Sequence, residues 1–334
     1  MEKKKKKIVT VGGGGGHAAV VSALKDLPIE LTALTNTVDD GGSSGELMRE
    51  YGVRSPGEPV RALHALDGER AKDLLYRFGT GSLAGMTVGN VLLAGYELSL
   101  GSHQAALDTV RKMFGIRHRV APLTAGSPVL HARTVAGKNV VGQAEIVRYI
   151  RTPGSASFET VWIEPKDAGL SEVAKDALSS ADYIIVSMGD LYSSIASTLC
   201  VKEYQEVLKK TSATVIWLPN VAVTPGHSHY TTTSGALTFL QSIAASFDPD
   251  IVIAASDAIP APVREELTAR GYGISAFDLS NEGRRIIRAD LLSDESIVAR
   301  SKTDVIDRSP IRYRTDVLQN IFSQLFYDTT SNRS

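Results

Sequence analysis

The chain has 334 residues, with 36 Lys+Arg against 37 Asp+Glu and a formal net charge of -1, a balance that argues against nonspecific nucleic-acid binding as its main task. With 43% hydrophobic and 22% charged residues the composition is that of a globular protein rather than a disordered one. Cys200 is the one cysteine, so a disulfide framework and a cysteine-based zinc site are excluded and a reducing compartment fits.

In chain order, Met1–Lys7 is a lysine-rich start that resembles the charged part of a signal peptide. Ile8-Val9-Thr10-Val11 then runs straight into glycines with no apolar stretch behind it, which predicts a solvated tail and a cytoplasmic protein. No window of about 20 apolar residues is present, so no membrane span is expected. Lys7–Gly12, Leu31–Thr37, Tyr183–Met188, Thr214–Leu218 and Ile251–Ala255 are near-continuous apolar runs, the pattern of strands buried on both faces of a parallel sheet. Helical spacing appears between them, over Ala18–Lys25, Asn90–Leu98, His103–Phe114, Glu172–Ser180, Lys202–Lys210, Ser234–Phe247 and Val263–Arg270. Strands alternating with helices predict an α/β, Rossmann-like, doubly wound and mostly parallel sheet.

Residues 117–150 break the alternation. His118–Leu123, Val129–Val135 and Val140–Val147 read as short strands, with Gly137-Lys138-Asn139 as a hairpin turn. The region is therefore expected as a small β insert, a candidate cap or homodimer contact. The division that follows is a nucleotide-binding domain over residues 1–279 carrying this insert, and a C-terminal helical extension over 280–334 packed on the core. The last helix, about Thr315–Phe326, has Val317, Ile321 and Leu325 in one apolar stripe.

Two turns carry the chemistry. Gly12, Gly13, Gly14, Gly15 and Gly16 follow the first strand and precede a helix, an arrangement that lets backbone approach an anion and aims N–H groups at it. His17 stands where a Rossmann fingerprint has its third glycine, and the Lys-Ser/Thr of a Walker loop is absent. After the second strand comes Asp39-Asp40-Gly41-Gly42-Ser43-Ser44-Gly45, expected beside the glycine turn because ligands sit at the carboxyl ends of the strands. Asp39 is placed to hold ribose hydroxyls. Alternatively Asp40 is a candidate Mg²⁺ ligand, with Ser43 and Ser44 taking phosphate oxygens. A turn that only caps a helix from Glu46 is the structural alternative.

Four further segments belong to the same predicted cleft. Asn90 either caps its helix or meets ligand. Gly189-Asp190-Leu191-Tyr192-Ser193-Ser194 ends a buried strand, where Ser193 and Ser194 either bind phosphate or cap a helix. Asn220 and Thr224 lie on the cleft edge, and His227-x-His229 is a weak metal pair without a third ligand nearby in sequence. Arg312 is a candidate for a bidentate phosphate contact. No Ser-His-Asp elbow is visible, so binding groups are clearer than a catalyst.

The ordered set of motifs resembles the superfamily of YvcK-like gluconeogenesis factors and CofD-like 2-phospho-L-lactate transferases. It is closer to the YvcK-like branch through Asp39-Asp40-Gly41-Gly42-Ser43-Ser44-Gly45. Ser55-Pro56-Gly57-Glu58 resembles that branch's Pro-Pro-Gly-Asp turn, and Gly85-Met86-Thr87-Val88-Gly89-Asn90 its Gly-His-x-x-Gly-Asn segment, with Met86 in place of the histidine. Met188-Gly189-Asp190-Leu191-Tyr192-Ser193-Ser194-Ile195 resembles Pro-Gly-Ser-x-Tyr-Thr-Ser-Ile, and Ile311-Arg312 the terminal segment. The resemblance implies a nucleotide ligand. A YvcK-like member would bind a UDP-sugar and link carbon metabolism to cell-envelope growth. A CofD-like member would move a phospholactyl group from a nucleotide-diphosphate donor to an alcohol, with Asp39 and Asp40 as the catalytic pair that organises Mg²⁺.

Overall fold

The computed structural model describes residues 5–152, 154–224, 230–293 and 311–327. The amino-terminal half runs β1 (Lys7–Gly12), α1 (Gly14–Leu24), β2 (Glu30–Thr35), α2 (Gly42–Tyr51), α3 (Gly57–Leu66), α4 (Val88–Leu100), α5 (His103–Met113) and β3 (Arg119–Pro122). The insert follows as β4 (Val129–Thr134), β5 (Asn139–Val141), α6 (Gln143–Ile150) and β6 (Phe158–Glu164). The second half is α7 (Glu172–Ser179), β7 (Tyr183–Val186), α8 (Ser197–Leu199), α9 (Lys202–Lys210), β8 (Thr214–Trp217), β9 (Ala222–Val223) and α10 (Thr233–Ile243). It closes with β10 (Ile251–Ala255), α11 (Ala261–Ala269), β11 (Gly273–Ile274), β12 (Arg285–Ala289) and α12 (Thr315–Tyr327).

Seven strands form one sheet in the order β12-β10-β8-β7-β1-β2-β3, and the pairings between neighbours are all parallel. β1 is central because Val9 and Val11 face one layer of helices and Ile8 the other, and all three are buried. Its Thr10 pairs with Ala33 of β2 on one side and Ile185 of β7 on the other. The strand order reverses between these two neighbours. Crossovers that leave in opposite directions open a crevice at the carboxyl ends of β1 and β7, where such sheets bind ligands.

The predicted insert and extension differ from the fold in three places. The first predicted insert strand, β3, pairs with β2 in the central sheet, so the separate sheet is β5-β4-β6 and begins at residue 129. The predicted strand Val140–Val147 is a strand only through Val141. Ile146 and Ile150, spaced four apart, turn the remainder into α6 with both side chains buried. The segment from 280 also supplies more than a helix, since β12 adds to the edge of the main sheet beside β10. Its Ile286 and Ile287 are each only partly exposed, and its arginines blunt the exposed edge. The predicted last helix is α12, which docks on α1 through Leu318, Ile321, Phe322 and Phe326.

Helices α3 and α4 cross at Gly89, where an added Cβ would lie 2.5 Å from Val60 Cγ1 and 2.8 Å from the Leu74 carbonyl oxygen. Alanine is the better helix former by about 1 kcal/mol, but overpacking against a backbone oxygen costs typically about 1–3 kcal/mol. Gly89→Ala is therefore expected to lower the urea midpoint at unchanged slope, and a raised midpoint would show that the crossing has room.

Candidate functional site

The glycine turn leaves β1 and enters α1, whose first residue is Gly14. Gly14 has φ +71°, a left-handed conformation that an L side chain rarely adopts. A Cβ built on Gly14 or Gly15 would meet open space, so the turn is not packed against the core on that side. Gly16 is needed for the opposite reason, since a Cβ there would lie 2.3 Å from the Met188 carbonyl oxygen at the end of β7. His17, in place of a third glycine, is buried, and its Nε2 lies 2.9 Å from Thr10 Oγ1. Burial lowers its pKa to about 4, against a smaller opposing pull from Glu58, so the ring is neutral at pH 7.

The second turn lies beside the first. Asn36, at the end of β2, is buried under the glycine turn, and an added Cβ on Gly13 would come within 3.3 Å of its Cβ. The Asn36 amide donates to the carbonyls of Ser193 and Ser194 at 2.9 and 3.3 Å and to Ser197 Oγ at 2.8 Å, while its Oδ1 accepts from Val38 N at 3.1 Å. Asp39 accepts from Ser55 Oγ at 2.9 Å and more weakly from Gly41 N at 3.4 Å. Burial, with the nearby Glu58 charge second, raises the Asp39 pKa from 3.8 to about 6. Glu58, at the start of α3, reaches the glycine turn and accepts from Gly14 N at 2.5 Å. Gly57 makes this possible, because a Cβ there would lie 2.5 Å from Ser44 Oγ and 3.2 Å from Asp39 Oδ2. The glycine turn, Glu58, Asp39 and Ser55 thus form one continuous wall.

Asp40 points elsewhere. Its two carboxylate oxygens accept from Gln143 N at 3.0 Å and Ala144 N at 2.8 Å, which caps α6 and ties the insert to the core. The helix α2 begins at Gly42 rather than at Glu46, with Ser44 buried and Ser43 Oγ accepting from Asn90 Nδ2 at 3.1 Å. Thr87, not Asn90, supplies the cap of α4, accepting from Asn90 N at 3.2 Å. Asn90 therefore braces the Asp39–Ser44 turn from behind. Met86 is a core residue packed with Leu47, Val53 and Ala94.

The third wall follows β7. Gly189 N donates to Asn220 Oδ1 at 3.0 Å, and Asn220 Nδ2 returns a bond to the Gly189 carbonyl. Asp190 Oδ1 accepts from Tyr192 N, Ser193 N and Ser193 Oγ, so the Ser193 hydroxyl is engaged in capping. The turn Leu191–Ala196 is a π-helix, a form that recurs at functional sites. The Tyr192 ring is fully buried, edge-on to Phe158 at 5.1 Å and Phe239 at 5.2 Å, and belongs to the core rather than the cleft. Ser194 is partly exposed and lies against Gly189 beside the Gly13 carbonyl.

Thr224 ends the segment after β9, and His227 and His229 lie outside the described residues. Arg312 donates to the Ile311 carbonyl at 3.0 Å. Burial, then the positive charges of Arg270 and Arg61, lower its pKa, while Arg270 itself is paired with Glu266. Among the described residues no three His, Cys, Asp or Glu side chains are grouped to hold a metal.

Residues 8–292 match the 2-phospho-L-lactate transferase CofD family. The chain belongs to that family. Within it, the chain is 30% identical to the gluconeogenesis factor of Bacillus subtilis (strain 168) over 294 residues, 86% of this chain and 91% of the relative. It is 34% identical to a putative gluconeogenesis factor of Thermotoga maritima over 215 residues, 63% of this chain and 67% of that one. These relatives make it a YvcK-like member. The crystal structure of a UPF0052 family protein from Bacillus halodurans has the same fold, with TM-score 0.85 at 24% identity over 96% of this chain and 99% of that chain.

Asn36, Ser55 and Glu58 stand at the site without a motif that marks them as ligand residues. Glu58 had a signal in its string: a carboxylate at the start of a helix, behind a glycine that permits close approach. Asn36 had none, because its partners lie about 160 residues away.

The native state holds the Asp39 proton up to about pH 6, whereas the unfolded chain releases it near 3.8, so the contribution of this group to stability falls as pH rises through that window. Asp39→Asn is expected to stabilise the unliganded protein at about pH 7.5 by on the order of 1–3 kcal/mol, and by almost nothing at about pH 4. A less stable variant at the higher pH in urea melts would show that the charge is a structural anchor instead. Asp40→Ala should lose the α6 cap, at about 1 kcal/mol, and speed amide exchange over 143–150 first; unchanged exchange there would refute the capping role.

Proposed function

We propose that this CofD-family protein binds a nucleoside-diphosphate ligand of the nucleotide-sugar type at the carboxyl ends of β1, β2 and β7. The observation that carries the reading is the adjacency of Gly14 and Asp39, with Glu58 between them, beside the point where the strand order reverses. The open backbone at Gly14 and Gly15, with the start of α1, takes the diphosphate. Asp39 reads ribose hydroxyls or holds a Mg²⁺ ion that bridges to the diphosphate, an ion that needs only one or two protein carboxylates beside phosphate oxygens. Ser43 and the backbone of Gly41 and Gly42 line the same side, Ser194 and Asn220 the other, and Arg312 with Arg61 meets the far end of the ligand.

In this reading the protein is a cytoplasmic, YvcK-like regulator that senses a UDP-sugar and links carbon metabolism to envelope growth, in keeping with the gluconeogenesis-factor names of its relatives. The second reading, favoured by the name of the matching family, is Mg²⁺-dependent transfer of a phospholactyl-type group from a nucleotide-diphosphate donor to an alcohol. In that chemistry the alcohol oxygen takes the phosphorus of the transferred group and a nucleoside monophosphate leaves; Asp39 would hold the ion, which would supply charge neutralisation for that leaving phosphate. Asp40, engaged at α6, stands outside the reaction.

A thermal-shift panel of UDP-glucose, UDP-N-acetylglucosamine, GDP and NAD⁺, with and without Mg²⁺, is the test. Ligand at about 100 times its dissociation constant should add roughly 2.7 kcal/mol of stability, and Asp39→Asn should abolish the shift. No shift with any uridine nucleotide at saturation would sink the sensor reading. Metal-dependent product from a guanylated donor would establish the transferase in its place.

A further inference from the structure

Glu58 occupies the position that the glycine turn offers to an anion. Its Oε2 accepts from Gly14 N, and an added Cβ on Gly13 would meet the same carboxylate at 3.3 Å. The contact is held from behind. Gly57 is seated on Ser44 and Asp39, and Val60 and Leu63, on the next turns of α3, are buried against Val20, Val21 and Leu24 of α1. The carboxylate is therefore tethered beside the turn by a rigid helix start. Asp39 adds a second negative charge a few atoms away.

We propose that Glu58 is a specificity-determining residue, an internal stand-in for phosphate that a ligand must displace from Gly14. The proposal rests on the nucleotide reading of the site and states which phosphate ligands it accepts. A tethered group competes at an effective concentration on the order of millimolar or above. A ligand with one phosphate gains little over the carboxylate it replaces. A diphosphate reaches Gly15 and the Gly189–Ser194 turn as well, which the short Glu58 side chain does not span, so it displaces Glu58 at a net gain. The turn thereby selects diphosphates against monophosphates and inorganic phosphate.

The test is calorimetric titration of the full chain and of Glu58→Ala and Glu58→Gln with UDP, UMP and inorganic pyrophosphate, each in EDTA and in Mg²⁺. Amide exchange over residues 12–17 is followed in parallel. In the wild type UDP is expected to bind far more tightly than UMP. Both variants should gain UMP affinity by roughly tenfold or more, narrowing the ratio, and exchange at Gly14 should speed up in Glu58→Ala. Losing a favourable charge at the start of α3 lowers the thermal midpoint of both variants without moving the UDP:UMP ratio, so the ratio is the decisive readout. An unchanged ratio overturns the proposal. So does weaker binding of both nucleotides to the variants in Mg²⁺, which would make Glu58 a holder of the ligand's cation. If the wild type binds no uridine nucleotide, the nucleotide reading fails by itself; pyrophosphate binding gained in Glu58→Ala then still supports displacement. Pyrophosphate binding by none of the three proteins overturns it.

Discussion

A single buried amide, Asn36, holds the two halves of the sheet in register around the cleft. It sits at the end of β2, yet its donors go to carbonyls of the π-helical turn after β7, which belongs to the other half of the fold. It adds a direct hydrogen-bonded link to the packing of Leu34 and Val38 in one apolar cluster with Tyr192 and Ile195. A buried amide with its donors and acceptor satisfied on both sides is costly to break, because any one loss leaves a desolvated polar group behind. The glycine turn rests directly over this amide. The positions of the first turn, the Asp39 turn and the Gly189 turn thus depend on one set of hydrogen bonds.

Above that clamp the cleft is built from deliberate close approaches. Met188 backs onto Gly16, and Ser44 and Asp39 back onto Gly57, and each contact leaves no room for a side chain. The space saved there brings two carboxylates, Asp39 and Glu58, against an anion-seeking turn. Burial and the nearby Glu58 charge raise the pKa of Asp39, and Glu58 is itself taken up by the Gly14 N–H.

Asp39 and Asp40 illustrate how neighbouring identical residues part company. In sequence they are interchangeable carboxylates in an Asp/Gly/Ser turn. In the fold, one faces the cleft, and the other turns through the backbone to cap α6 and fasten the insert. Tyr192 makes the same point for an aromatic residue: its place in a ligand-like string is outweighed by the gain from burying a ring among Phe158, Tyr230 and Phe239.

The local pattern determined what local physics controls. Continuous apolar runs marked the strands of a doubly buried parallel sheet, the alternation with helices set its class, and a glycine turn behind the first strand marked the crevice. Ile146 and Ile150 already held the period of α6, but the carboxylate that starts this helix lies about 100 residues upstream, so the strand reading prevailed there. Tertiary structure alone decided which carboxylate faces the cleft, that β3 and β12 complete the main sheet, and that Glu58 reaches Gly14. The reason is common to all three. Periodicity and turn chemistry report on contacts within a few residues, whereas a hydrogen bond across 44 or 157 positions exists only once the chain has folded.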